Sequence, residues 1–283
     1  MTYVYQVNPR RKKSFFDSLS LNTIFIIINV IAFIIFTVLM KLNLASIDSI
    51  AIKPSNILQG RYLWTFLTSM FMHANFIHLL VNMFSLFFIG SIVEKIIGRK
   101  RYFWFYILSG IFAGLFYSLF AYFLGGSVLG AKIFGSSNTF ALGASGAIFG
   151  LAGLLAVLIP NKKVYLIAGP LIAIILQAIF NFLFPSASIM KVFNILITLY
   201  IFWAIFSMLS FNEKTRKIGV PIGMPFWLLP IIAIVPLVII GLFVELPIGN
   251  TAHLGGLVAG IIYGLFLVSR YKNKTKYIRQ HFS

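Results

Sequence analysis

The residues able to do chemistry in this chain stand out by their scarcity. Among the strongly polar side chains within or at the ends of its long apolar runs are His73, His78, Asn82, Ser145, Asn181, Asn194 and His253. Polar groups are costly at membrane depth and by default mark a function. A serine with an imidazole in hydrogen-bond reach is an activated nucleophile. A second imidazole and a carboxamide aimed at one point are able to hold the oxyanion formed when an acyl group is attacked. His78 and Asn82, four residues apart, share a helix face, and His73 lies just over one turn before them. Ser145 opens one apolar run in "ALGASGAIFG" and His253 opens another in "NTAHLGGLVAG". The chemistry this allows is hydrolysis by a Ser–His pair without an obligatory carboxylate. Asp17, Asp48, Glu213 and Glu245 fall in loops or tails, and Glu94 lies at the inner end of a span.

Each feature also has a plainer reading. A lone membrane serine packs helices, and a lone histidine bonds a neighbouring helix. "GASGA" lacks the glycine two places after the serine that a nucleophile elbow requires. His73 and His78 lack His-Glu-x-x-His spacing and an acidic or cysteine partner, so no metal is expected. Asn181 and Asn194 read as structural glue or pore polarity. The stripes Gly146–Gly150 and Gly256–Gly260–Gly264 let helix backbones approach closely in lipid. If the helices carrying them touch, Ser145 and His253 come within reach, so packing and chemistry become one explanation.

The elements that must position these residues are membrane helices. Of 283 residues, 60% are hydrophobic and 10% charged, with a mean hydropathy of +0.99, which is the composition of a polytopic membrane protein. There are no cysteines, which excludes disulfides, thiol catalysis and Cys-ligated metals. Spanning the hydrocarbon takes about 20 apolar residues. Eight stretches qualify: Leu21–Met40, His73–Ile97, Tyr102–Leu124, Ala144–Pro160, Val164–Phe184, Val192–Phe211, Met224–Val244 and Thr251–Ser269. The formal net charge of +18 reflects topology and not a nucleic-acid partner, because the basic residues cluster between spans. Arg10 to Lys13, Lys95 to Arg101, Lys162 and Lys163, Lys214 to Lys217 and Arg270 to Arg279 fall on one side. Only Lys41, Lys53, Arg61, Lys132 and Lys191 fall on the other. The bias predicts eight spans with both termini cytoplasmic. It also predicts that Ser145 and His253 both lie near the outer face, each opening an inward-running helix. The long outer segment from Lys41 to Met72 reads as interfacial, with Tyr62 and Trp64 at headgroup level.

Together these residues resemble the rhomboid family of intramembrane serine proteases. The resemblance rests on "GRYLWTFLTSMFMHANFIHLLVNM", with His-x4-His-x3-Asn as His73, His78 and Asn82, on "VEKIIG" with Glu94, on "GASGAIFG" with Ser145, and on "NTAHLGGLVAG" with His253. It implies that Ser145 is the nucleophile and His253 the general base, and that the Ser145 N–H, His78 and Asn82 hold the oxyanion. Gly143, Ala144 and Phe149 would line the substrate. His73, Trp64, Glu94, Gly146, Gly150, Gly256 and Gly260 would be structural. Family substrates are transmembrane segments cut near their outer ends. Two positions depart from the family pattern: Trp64 is followed by Thr65 where arginine is common, and Phe149 stands where tyrosine is common.

The larger departure is length. The family core has six helices, with one span between the serine and histidine helices, whereas here residues 162–222 hold two more apolar runs. Two spans return the chain to the same side and keep His253 level with Ser145, while one would not. The expected fold is therefore an all-α polytopic membrane protein, a six-helix core carrying an inserted helical hairpin. It comprises a basic cytoplasmic segment (1–20), a single membrane domain (21–270) and a basic cytoplasmic tail (271–283). The expected function is an intramembrane serine endopeptidase in a prokaryotic plasma membrane. It needs no cofactor, acts on transmembrane proteins in the lipid bilayer, and leaves oligomeric state open. The alternative is an inactive relative that binds membrane helices.

Overall fold

Caps and glycines set where the apolar segments start and stop. In the computed structural model, which describes residues 19–184, 189–243 and 249–282, helix α1 (Leu21–Lys41) begins where the Ser20 hydroxyl accepts the Thr23 N–H. Glu94 receives the Leu21 N–H at 2.8 Å and the Asn22 N–H at 2.9 Å, a carboxylate against the positive end of a helix. Short helices α2 (Pro54–Leu58) and α3 (Thr65–Thr68) divide the following loop. Asn75 caps α4 (Phe76–Ile97) by accepting the His78 N–H at 2.8 Å, and a π-helical turn over Leu86–Gly90 interrupts it. His73 thus precedes the second span instead of opening it. Gly98, at φ +82°, turns the chain straight into α5 (Arg99–Leu124), a conformation that glycine adopts without steric cost. The short α6 (Val128–Phe134) and a loop lead to α7 (Ser145–Leu158).

The centre of the fold is α7. Its Leu151, Leu154 and Leu155 are fully buried, with α5 and α12 (Asn250–Arg270) packed against it and against each other. The outer surfaces are apolar instead: Ile34, Leu108, Ile262 and Leu265 are all more than half exposed. Such surface is tolerated where lipid, not water, is the neighbour. Among the described residues, five helices are long and apolar enough to cross a bilayer by themselves, and three shorter apolar helices accompany them, over Ser145–Leu158, Ala168–Leu183 and Phe226–Gly241. Each of the eight corresponds to one of the stretches read from the sequence. The protein is a multi-pass, predominantly helical integral membrane protein.

One element departs from the helical reading. Residues Lys163–Ile167 form a strand, β1, paired antiparallel with β2 (Pro221–Pro225), from Lys163 opposite Pro225 to Ile167 opposite Pro221. The apolar run expected to be helical from Val164 is therefore extended for its first four residues. Val164, Tyr165 and Ile167 suit a pleated ribbon. Met224 likewise lies in β2, where flanking prolines oppose a helix, and α11 (Leu229–Gly241) starts only after a 3₁₀ turn over Phe226–Leu228. Between the strands lie α8 (Ala168–Leu183), α9 (Ile189–Ser207) and the short α10 (Glu213–Arg216). The ribbon brings the two ends of this segment side by side. Its helices form a small cluster of their own, in which Ala173, Ile201 and Ile205 meet Ile77, Leu80, Val81 and Phe84 of α4. After α12, α13 (Lys272–Phe282) carries the basic tail. The first eighteen residues, the Ser186–Ser188 loop, Val244 and Glu245 lie outside the described residues.

Candidate active site

The backbone leading into α7 is held before the helix begins. The Gly143 N–H donates to the Ser69 carbonyl at 2.8 Å, and Gly143 sits at φ +123°. The Ala144 N–H points to His73 Nε2 at 3.4 Å. A helix start leaves its first N–H groups without partners within the helix, and His73 supplies one here. His73 is fully buried, with its ring edge-on to His78 at 5.1 Å and to Phe33 at 6.5 Å. It therefore organises the entry to α7, and Ala144, whose N–H is so engaged, is buried behind it.

Ser145 is the first residue of α7, and its Oγ lies 2.8 Å from Nε2 of His253, a side chain that is 8% exposed. Phe149, one turn beyond Ser145, stacks on the His253 ring at 4.4 Å and 20°. The pair meets because two helices touch through bare backbone. A Cβ on Gly256 would run into the Gly146 carbonyl, and one on Gly260 into that of Gly150. On the other side of α7, Cβ atoms at Gly146 and Gly150 would each come within 2.7 Å of α5, at Ala113 and Ser109. Gly153, which the sequence reading passed over, belongs to the same contact through Leu257 and Gly260. Such close approach is how helices adhere in lipid, where burial of apolar surface supplies no drive.

His78 stands over Gly143. A Cβ there would come 2.9 Å from His78 Cε1 and 3.0 Å from Nε2, while lying 3.8 Å from Ser145 Oγ. The missing side chain lets the imidazole approach the Gly143 backbone closely, beside the serine. His78 Nδ1 faces the Ala74 N–H at 3.4 Å. Asn82 is turned differently, because its Nδ2 donates to the His78 carbonyl at 2.8 Å within its own helix. Trp64 is exposed and bonds the Ser49 carbonyl through its indole N–H at 2.9 Å, beside Tyr62. Glu94 is far from this cluster, at the start of α1. Asn181 lies in α8 and Asn194 in α9, bonded to each other at 3.1 Å.

Sequence reasoning missed three groups. Asn22 is buried between the Leu86 carbonyl, Ser91 and the Tyr102 hydroxyl, and so ties α1 to α4 and α5. Asn75 is the cap that fixes the first turn of the His78 helix. Asn250 opens α12 three residues before His253, and its buried Oδ1 has no hydrogen-bond partner, nor does His253 Nδ1. The spacing of three was the available signal, but polarity at a helix start is common and did not single it out.

A serine and a histidine held 2.8 Å apart by glycine-packed membrane helices define a class, that of polytopic proteins with a Ser–His pair sunk among their spans. The rhomboid domain profile matches residues 60–198 and 199–270, and the chain belongs to the rhomboid family. It is 36% identical over 92 residues to "Rhomboid protease AarA" of Providencia stuartii, covering 31% of this chain and 32% of that one. It is 32% identical over 103 residues to "Putative rhomboid protease YdcA" of Bacillus subtilis (36% and 45%). It is 33% identical over 116 residues to "RHOMBOID-like protein 6, mitochondrial" of Arabidopsis thaliana (41% and 33%). The similarity thus spans less than half the length of these relatives, which come from bacteria and from a plant.

Proposed function

We propose that this protein is an intramembrane serine endopeptidase that cleaves transmembrane segments of other proteins near the outer membrane face. The observation that carries this reading is the 2.8 Å contact between Ser145 Oγ and His253 Nε2 with Phe149 stacked on the imidazole. Ser145 Oγ attacks the scissile carbonyl carbon as its proton passes to His253 Nε2. The resulting oxyanion lies beside Gly143, toward the Ser145 N–H and His78, and Asn82 joins them once its amide turns from the His78 carbonyl. Collapse breaks the C–N bond, and His253 returns the proton to the leaving amine. A water activated by the same imidazole then hydrolyses the acyl-serine. No step calls for a cofactor or metal.

The length of α7 supports cleavage within the bilayer. Its 14 residues rise only about 21 Å, against a hydrocarbon core of about 30 Å, so Ser145 lies recessed from one face. A substrate helix must unwind to present a carbonyl there, because a helical carbonyl is already hydrogen-bonded. The inserted hairpin is carried by the membrane domain, and both termini are cytoplasmic, as a reporter fused after Ser283 would read.

Replacing Ser145 with Ala abolishes cleavage of a transmembrane reporter in liposomes and abolishes fluorophosphonate labelling, with an unchanged unfolding temperature. Undiminished cleavage by Ser145→Ala would falsify the reading.

A further inference from the structure

We propose that Asn250 is the positioning residue of His253, holding the imidazole in the tautomer that accepts the Ser145 proton. The inference rests on the endopeptidase reading above and names a third member of its machinery.

Two separate observations point to it. His253 Nε2 faces Ser145 Oγ at 2.8 Å, and to accept a proton there the ring must carry its own proton on Nδ1. That Nδ1 is buried and has no hydrogen-bond partner. On the same turn of helix, Asn250 Oδ1 is also buried and also without a partner. One atom is a donor lacking an acceptor, and the other is an acceptor lacking a donor. Buried polar groups are paired in folded proteins as a rule, and two complementary orphans one turn apart are the simplest pair available.

The local geometry favours the match. Side chains three apart on a helix are neighbours, and helical side chains lean toward the N-terminus, which takes the His253 ring toward Asn250. Six buried polar atoms lack partners among the described residues, and Asn250 Oδ1 is the acceptor that shares His253's helix. The Tyr106 hydroxyl and Asn29 Oδ1 lie at the α1–α5 contact, and Thr65 Oγ1 lies in α3. A turn of the Asn250 carboxamide, or one water between the two groups, completes the Nδ1–H···Oδ1 link. A neutral carboxamide does this without placing a second charge in a poorly solvated site. The order of groups becomes Asn250, His253, Ser145, with the amide in the orienting place that a carboxylate takes in other serine hydrolases.

The test uses the full-length protein reconstituted in liposomes, with Asn250→Leu and Asn250→Asp. In Asn250→Leu, kcat for a transmembrane reporter falls roughly ten- to hundredfold, the scale seen when the hydrogen-bond partner that orients a metal-bound imidazole is removed. KM stays close to wild type, fluorophosphonate labelling of Ser145 slows in parallel, and the unfolding temperature holds. Asn250→Asp keeps an acceptor and recovers most of the rate. Nitrogen-15 histidine spectra of this four-histidine protein show His253 protonated at Nδ1 in wild type and a tautomer mixture in Asn250→Leu. A wild-type kcat in Asn250→Leu, or a wild-type His253 carrying its proton on Nε2, overturns the proposal. If Asn250→Leu fails to fold, the wild-type tautomer and the Asn250→Asp rate still decide. Loss of activity in Ser145→Ala with no effect at Asn250 sinks this inference alone, whereas full activity in Ser145→Ala sinks the protease reading as well.

Discussion

Two helix pairs in this protein are built from nearly the same apolar alphabet and are held by different means. Where α7 meets α12, glycine Cα atoms press on carbonyl oxygens, and leucines such as Leu154 and Leu155 are fully enclosed. Where α8 meets α9, the helices are joined by carboxamides, Gln177 Nε2 to Asn194 Oδ1 and Asn194 Nδ2 to Asn181 Oδ1, both at 3.1 Å. Ile195, Leu196 and Leu199 of α9 face outward, each close to 60% exposed. Lipid tails are as apolar as leucine, so neither pair is held by burying apolar area from water. Backbone contact holds the first and side-chain hydrogen bonds hold the second. The first kind fixes atoms to within a fraction of an ångström, as an active site requires.

Substituting across this contrast should separate the two pairs. The largest effect is expected from Gly256→Val, whose side chain has no space against the Gly146 carbonyl. Forcing the helices apart shifts His253 from Ser145, and a displacement of about 1 Å costs on the order of a hundredfold in rate. Overpacking should also remove about 1–3 kcal/mol of stability. Reporter cleavage and thermal unfolding measure both, and a fully active Gly256→Val would show that the close contact does not set the dyad. A middle-sized effect follows from Phe149→Ala, which removes the ring stacked on His253. An aromatic pair contributes about 0.5–1.5 kcal/mol, so a two- to tenfold fall in the labelling rate of Ser145 is expected, with little change in unfolding temperature. An unaltered labelling rate would mean that the stack does not hold the imidazole.

The smallest effect is expected from removing the second pair entirely. Because Ile167 and Pro221 are the last partners of the ribbon, an Asn-Gly turn can replace residues 168–220 and close the two strands as a hairpin. The deletion removes two spans together, so it preserves the side on which His253 lies. The two helices pack mainly on α4 and not on α7 or α12, which carry the Ser145–His253 pair, so fluorophosphonate labelling should stay within about threefold of wild type. Loss of labelling in a folded deletion variant would instead place the hairpin in the structural support of α4, through Ile77, Leu80, Val81 and Phe84.

Much of this architecture is legible in the linear chain, for reasons that differ by element. Apolar length reveals α1, α5 and α12 because a bilayer demands it of every span. The sites of Ser145 and His253 are legible because polar groups are rare there, and the spacing of His78 and Asn82 because a helix repeats every 3.6 residues. The ribbon at Lys163–Ile167 was not legible, since a short apolar run reads equally as helix or strand until its partner is known. The direction of Asn82 was not legible either, because whether its amide serves the site or its own helix is decided by a side-chain torsion.

The sequence by itself determined the class of protein, the count and approximate limits of the apolar helices, and which few residues are able to do chemistry. Each of those follows from composition or from a local period. Only the tertiary structure decided which glycine meets which carbonyl, that His73 serves the Ala144 N–H, that Glu94 caps α1, and that Asn250 and His253 leave complementary atoms unpaired. Those are relations between atoms far apart in the chain, or rotamers chosen among several, and no local pattern encodes them.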